Sequence, residues 1–157
     1  MAQRGTERVA QALAALAPES VIRELDASTR TAAHAAAALG CPLGAIANSL
    51  IFMAAEAPIL IMTSGDHRVD LDIVADSVGI GPLRRATPEE VRAATGQPIG
   101  GVAPVGHPSP VRTLVDESLS RYDTIWAAAG TPHSVFATSY AALVAMTGGE
   151  PVVVSNT

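Results

Sequence analysis

A glycine pair followed closely by a proline is the feature of this sequence best suited to chemistry. Gly100 and Gly101 open the stretch Gly-Gly-Val-Ala-Pro, which ends at Pro104. Glycine has no Cβ, so its backbone N–H groups can approach a ligand closely, and proline stiffens the loop. Two N–H donors directed at a developing oxyanion would stabilise it by several kcal/mol in a dry site. The alternative interpretation is an ordinary glycine-proline turn.

The four histidines are the next candidates for binding or proton-transferring groups. His107 lies just beyond the glycine loop, and His133 follows a second glycine-containing segment that includes Gly130. A neutral histidine in either place could orient a water molecule. His34, in an alanine-rich helix, is predicted to have a surface or helix-packing role, and His67, in a turn, is predicted to be exposed or near the mouth of the cleft. No two histidines have the spacing of a zinc motif, and the chain has one cysteine, so the sequence predicts no metal.

Composition restricts the possible mechanisms further. All ten basic residues among the 157 are arginine, so no mechanism that needs a lysine amine can run on this chain. The net charge of −5 weighs against broad, non-specific nucleic-acid binding but leaves room for a small cleft that binds one RNA end. Nucleophile-elbow, P-loop and dinucleotide-binding motifs are missing from the sequence. The single cysteine, Cys41, is interpreted as a small buried hydrophobe, and the absence of long apolar runs predicts a cytoplasmic protein with no membrane partner.

The elements that must position these residues follow from the hydrophobic pattern. Apolar residues at helical spacing predict five helices, and continuous apolar runs between them predict strands. Two of these runs flank residues 54–57 and predict a β-hairpin, so the sheet should be mixed. Residues 97–110 are rich in glycine and proline and are predicted to form a loop. The predicted helices are 6–16, 31–39, 70–78, 88–95 and 140–146, and the predicted strands are 21–25, 46–53, 58–63, 112–115, 124–128, 135–137 and 151–154.

Helix starts are marked by capping side chains. Thr87, Pro88 and Glu90 have the spacing of a capping box with proline at the first helical position. The segment 26–28, Asp-Ala-Ser, offers N-cap side chains for the second helix. Asp116 is expected to start a short helix at the next residue.

An ordered set of short segments carries a family likeness. The segments are Thr31-Ala32-Ala33 with Leu39-Gly40, Ile46 to Leu50, Gly65-Asp66, Ala86 to Val91, Thr95-Gly96, Gly100 to Pro104, Val115 to Leu119 and Ala129-Gly130. Together they resemble the YbaK and prolyl-tRNA-synthetase-associated family of aminoacyl-tRNA editing domains, over roughly residues 20–155. The resemblance implies one α/β domain over residues 1–157, with a twisted mixed sheet partly rolled into a barrel and flanked by helices.

The resemblance also assigns site residues and raises one difficulty. Members of the family carry a functional lysine where this chain has Asn48, which keeps hydrogen-bonding capacity but has no charge. Asn48, Gly100 and Gly101 are therefore expected to be the catalytic groups. An arginine could approach the position of the missing amine, and Arg68, Arg84 and Arg85 are the candidates. The substrate-binding residues implied are Ile46, Leu50, Val102, Pro104, His107, Gly130 and His133.

Two functions remain open at this point. The resemblance implies a trans-editing deacylase that hydrolyses the ester of a mischarged tRNA carrying a small amino acid, with no cofactor. The partners expected are the tRNA 3′ end and an aminoacyl-tRNA synthetase. The alternative is an inactive member that binds aminoacyl-tRNA, a nucleotide or a protein, because Asn48 replaces the lysine.

Overall fold

The computed structural model describes residues 5–17, 20–25, 31–97, 101–131 and 133–155. In these ranges the chain forms five α-helices and eight strands that belong to one sheet. The helices are α1 (Gly5–Leu16), α2 (Ala32–Leu39), α3 (Leu71–Val78), α4 (Pro88–Thr95) and α5 (Tyr140–Thr147). The strands are β1 (Ile22–Glu24), β2 (Ile46–Ala54), β3 (Ala57–Ser64), β4 (Leu83–Arg85), β5 (Arg112–Asp116), β6 (Ile125–Ala128), β7 (Ser134–Thr138) and β8 (Glu150–Val152).

The β2–β3 hairpin is the centre of the sheet. Its antiparallel register runs from Ala47 opposite Ser64 to Ala54 opposite Ala57, with Ala55 at a φ of 55° in the turn. The strand order is β1-β7-β6-β2-β3-β5-β8, and β4 pairs with β2 beside this path. Parallel pairs join β2 to β6, β3 to β5 and β5 to β8. The predicted mixed sheet is therefore confirmed, and it remains open, because β1 and β8 end it without pairing to each other.

Strand β2 has two partners along one of its edges. Ile46 and Ala47 pair with β6, whereas residues 52–54 pair with β4. Between these pairings, one backbone bond joins this edge to another described residue, from the amide of Ala86 to the carbonyl of Ile51 at 3.2 Å. The sheet therefore divides beside residues 48–50, and a short stretch of strand edge is left open in the middle of the sheet.

Apolar clusters cover both faces of the sheet. On one face α1, α4 and α5 pack against Ala47 and Ile51 of β2, with Leu60, Val115 and Phe136 from other strands. On the other face α3 packs against Phe52, and α2 packs against Ile46. Because successive strand residues point to opposite faces, these contacts fix the face of every residue of β2.

The helix ends follow the predicted capping chemistry. Thr87 and Glu90 form the complete capping box. The prediction that residues 26–28 cap the second helix is wrong, because α2 begins at Ala32 and its N-cap is Thr31, whose hydroxyl accepts a bond from the amide of His34. Asp116 caps a short 3₁₀ helix, Glu117–Arg121, as predicted. Strand β4 was not predicted, because its three residues are too few for a periodic signal.

Candidate functional site

A small cavity lies where the sheet divides. Its walls come from α2 (Ala32), from β2 (Asn48) and from the loop that follows α4 (Val102). Its volume is about 30 Å³, enough for roughly two water molecules. No charged side chain lines it among the residues that the structure describes. The other lining residues are Ala35, Ile46, Ala47, Ser49, Trp126, Ala127, Ala128 and Val135.

Asn48 is the polar side chain that the strand register brings to this cavity on the α2 face. It lies between Ile46, which packs under α2, and Leu50, which packs near α3. Its partner across the hairpin is Thr63. Asn48 is half-buried, and its carboxamide makes no hydrogen bond to any described residue. A half-buried amide with no partner among the described residues is a candidate to bind a ligand or water.

Ser49 contributes backbone groups rather than a free hydroxyl. Its Oγ donates to the Sδ of Met62 at 3.2 Å. The carbonyl of Ile51 bonds across the dividing edge, and alternate residues of a strand present their N–H and C=O to the same edge. Ser49 therefore directs its N–H and C=O into the open stretch between β6 and β4. A substrate lying there meets a backbone donor and an acceptor.

A buried glutamine shapes the loop that faces Asn48. Gln97 is fully buried, and its Oε1 accepts a 2.6 Å hydrogen bond from the amide of Ala103. The backbone N–H of Gln97 donates to the Oγ1 of Thr95 at 3.1 Å. No described residue accepts a bond from the amides of Gly101 or Val102. Gly100, the other predicted oxyanion donor, lies outside the described residues.

His107 contacts this loop on the side away from the cavity at Asn48. Its Nε2 donates to the carbonyl of Ala103 at 2.8 Å. The ring lines a separate groove with Pro104, and neither residue lines the cavity at Asn48. Burial lowers the pKa of His107 below 6.5, although the bond to Ala103 opposes that shift. A neutral imidazole that donates from Nε2 is therefore the form that fits this place.

A serine, a histidine and an aspartate meet on the far side of Thr63. Asp116 is 1% exposed and accepts bonds from the Ser118 hydroxyl at 2.7 Å and from His67 Nδ1 at 3.0 Å. Thr63 Oγ1 also donates to it, at 3.3 Å. Burial acts to raise the pKa of Asp116, but hydrogen bonds from Ser64 and Ser118 hold it below the usual value.

This cluster lacks the geometry of a nucleophilic triad. A triad needs the serine and the carboxylate on opposite nitrogens of the imidazole. Here Ser118 Oγ and Asp116 both lie against Nδ1 of His67, at 3.3 and 3.0 Å. Because the Ser118 hydroxyl also donates to Asp116, the cluster is a buried polar anchor between β3 and β5.

Comparison with known proteins identifies the family. Residues 26–146 match the aminoacyl-tRNA editing domain. This chain belongs to that family. The chain is 34% identical, over 74% of its own length and 74% of the relative's, to the uncharacterised protein YwhH of Bacillus subtilis. It is 31% identical over 73% of its length to the proline–tRNA ligase of Thiobacillus denitrificans, of which it spans only 20%.

Solved structures agree with this assignment. A structure described as a candidate trans-editing enzyme for prolyl tRNA synthetase superposes with a TM-score of 0.91 at 42% identity, with both chains covered completely. A hypothetical protein, APE2540, superposes with a TM-score of 0.86 at 29% identity, over 95% of this chain and 99% of that one. No helix in the described ranges is long and apolar enough to cross a membrane.

The structure distributes the remaining predicted site residues of this editing domain over several places. Leu50 lines a neighbouring cleft of about 40 Å³ that shares Ser49 and Val102 with the cavity. Gly130 is buried after β6, and His133 is exposed in the β6–β7 connection. Neither lines the cavity.

Two residues near the cavity were not predicted. Gln97 directly follows the glycine that ends α4, a position that sequence patterns treat as loop. Ser49 acts through its backbone, which no residue type reveals. Among described residues, no group of three or more histidine, cysteine or acidic side chains could hold a metal.

Proposed function

We propose that this editing domain hydrolyses the ester bond between a small amino acid and the 3′ end of a mischarged tRNA. The observation that carries the proposal is the carboxamide of Asn48, which has no hydrogen-bond partner among the described residues and lines one cavity with Val102 of the glycine loop. The family match and the likeness to a candidate trans-editing enzyme support the same reaction class.

The chemistry needs few protein groups. A water oxygen attacks the ester carbonyl, the acyl C–O bond breaks, and the ribose oxygen leaves with a proton. The amide of Gly101, together with that of Gly100, is assigned to the developing oxyanion. Asn48 holds the attacking water or the terminal ribose through its carboxamide. The backbone carbonyl of Ser49 is an acceptor for the ammonium group of the amino acid.

The size of the cavity supports a small amino acid. Its walls include the methyl groups of Ala32 and Ala35 and the side chain of Val102. A cavity of about 30 Å³ favours a small side chain over a large one. Differences of one methylene are worth only ~1–3 kcal/mol in binding, which is the reason that a second, hydrolytic selection step is useful.

A non-catalytic binder is the second candidate. It is favoured by one observation, the absence of any charged side chain among the described residues that line the cavity. In this alternative Asn48 contributes recognition of the RNA end without promoting hydrolysis. Because several of the similar proteins are proline–tRNA ligases, tRNA(Pro) is the natural first substrate for either candidate.

The deciding experiment is a deacylation assay on a panel of tRNA(Pro) molecules charged with alanine, serine, threonine, cysteine or proline. We expect at least one small non-cognate ester to be hydrolysed well above the buffer blank, and prolyl-tRNA to be spared. Hydrolysis of no substrate above the blank would leave the binder as the function. The same amino acids attached to a second tRNA are assayed in parallel. A preference that follows the amino acid is thereby separated from one that follows the tRNA.

A further inference from the structure

One arginine, Arg85, lies beside the cavity on strand β4, which pairs with β2 beyond the open stretch of strand edge. Arg85 lines the cleft of about 40 Å³ beside Ser49, Leu50 and Val102. Since that cleft shares Ser49 and Val102 with the cavity at Asn48, the two spaces adjoin. Among the described residues lining either space, Arg85 is the only cation.

Strand register places Arg85 on the same face of the sheet as Asn48. Arg85 is opposite Phe52, an even-numbered residue of β2 like Asn48. Leu83, two residues before Arg85, packs in the same cluster as Phe52, which confirms the face. Residues directly opposite each other in a ladder have their side chains on the same face of the sheet. The side chain of Arg85 is therefore on the same face as that of Asn48.

The other two candidate arginines, Arg84 and Arg68, do not line the cavity or the cleft. Arg84 is opposite Met53 on the other face, and it forms a bidentate ion pair with Glu90 at 2.8 and 2.7 Å. Arg68 is exposed in the β3–α3 connection and lines neither space. Arg85, by contrast, has no ion pair or side-chain hydrogen bond within the described part of the chain.

Distance decides what Arg85 can bind. Phe52 is four residues beyond Asn48, which is about 13 Å along a strand. An extended arginine side chain covers only part of that length, so its guanidinium cannot replace an amine at the ester itself. The guanidinium can reach a negatively charged group of the substrate that lies several ångströms from the ester. In an aminoacyl-tRNA that group is a backbone phosphate near the 3′ end.

We propose that Arg85 forms a phosphate subsite for the 3′-terminal RNA backbone, adjoining the neutral cavity at Asn48. This inference rests on the proposed RNA substrate. A planar guanidinium matches a phosphate in a bidentate manner, which accounts for an arginine that has no partner among the described residues and lies beside an otherwise uncharged cavity. Arg85 on β4 thereby supplies the positive charge that the residues lining the cavity lack.

Binding of RNA oligonucleotides tests this subsite without any need for catalysis. The probe is a labelled single-stranded RNA ending in CCA, compared with the same probe carrying neutral methylphosphonate linkages. Arg85→Ala should weaken binding of the normal probe about tenfold. It should also reduce the slope of log affinity against log salt by about 0.7, the value for one phosphate contact on a single strand. The neutral probe should bind wild type and Arg85→Ala equally.

Two variants serve as controls. Arg84→Ala, on the same strand but the opposite face, should leave affinity and salt slope as in wild type, and Arg85→Lys should retain most of the slope. The subsite is refuted if Arg85→Ala binds like wild type, if Arg84→Ala has the same effect, or if wild type binds neither probe. Arg85-dependent binding with no deacylation would keep the subsite and select the binder. Deacylation with no role for Arg85 would keep the enzyme and refute the subsite.

Discussion

The amide of Ala103 donates a 2.6 Å hydrogen bond to Oε1 of Gln97, and both residues are fully buried. This bond engages the Ala103 N–H, whereas the amides of Gly101 and Val102 have no acceptor among the described residues. The conformation of a loop that has no helix or strand in its described part thus depends on one side chain from the end of α4.

Gln97→Met should therefore affect both stability and activity. Methionine has nearly the same length but cannot accept the bond, so a buried N–H loses its partner. We expect a loss of about 1–3 kcal/mol in the free energy of unfolding, measured with urea. Deacylation should fall further than stability explains, because the oxyanion donors are displaced. Arg92→Gln, an exposed change on α4, is the control and should alter neither.

Asn48 can be separated from folding because its carboxamide has no partner within the described residues. Asn48→Ala should lower the deacylation rate constant by about tenfold or more, which corresponds to ~1.4 kcal/mol of transition-state stabilisation. The midpoint of urea unfolding should stay close to that of wild type. Asn48→Lys should raise the rate or change the preferred amino acid. Unchanged kinetics in Asn48→Ala would remove the residue from the mechanism and leave the family assignment intact.

The sequence predicted the elements better than it predicted their chemical environment. The hairpin, the capping box at Thr87 and the cap at Asp116 are local patterns, and each is present. Strand β4 has three residues and exists because β2 offers it an edge, which is a tertiary effect. The division of the sheet that exposes Ser49 depends on the pairing of two distant strands with one. Such pairing leaves no signal in residue types.

Site residues show the same limit. Asn48 and Val102 share a cavity, whereas His107 and Pro104 face a separate groove on the far side of the loop. Nearness in sequence to a glycine loop does not define which side of it a side chain occupies. A family likeness locates segments, but the direction of a side chain in an irregular loop depends on contacts such as the one between His107 and Ala103.

Asp116 should give stability a defined acid dependence. Its carboxylate is buried and its pKa in the folded protein is below the usual 3.8. Its contribution is therefore present above the unfolded-state pKa and is lost as the pH falls through the folded-state value. Asp116→Asn should cost about 3 kcal/mol at pH 7, because Ser118 and Thr63 lose a charged acceptor. The urea midpoint of this variant should also change less than that of wild type between pH 5 and pH 3.

The control for this prediction is Asp123→Asn, at an exposed position. It should keep the wild-type stability at pH 7 and the wild-type acid dependence. If Asp116→Asn loses as much stability as wild type between pH 5 and pH 3, other carboxylates dominate that range, and the buried anchor has no special part in acid unfolding.

His107 should produce a second pH dependence, at a higher pH and with a different cause. Burial lowers the pKa of its imidazole below 6.5, so in the range under that value the unfolded chain binds more protons than the folded one. Stability should therefore fall as the pH drops from about 7 toward 5. His107→Gln should remove this part of the dependence, because an amide can still donate to the Ala103 carbonyl but does not titrate. His34→Gln, which changes an exposed histidine, should retain it. Urea midpoints measured at pH 7.5, 6.5 and 5.5 are the test, and parallel curves for wild type and His107→Gln would mean that the ring accepts a proton as easily in the folded protein as in the unfolded chain.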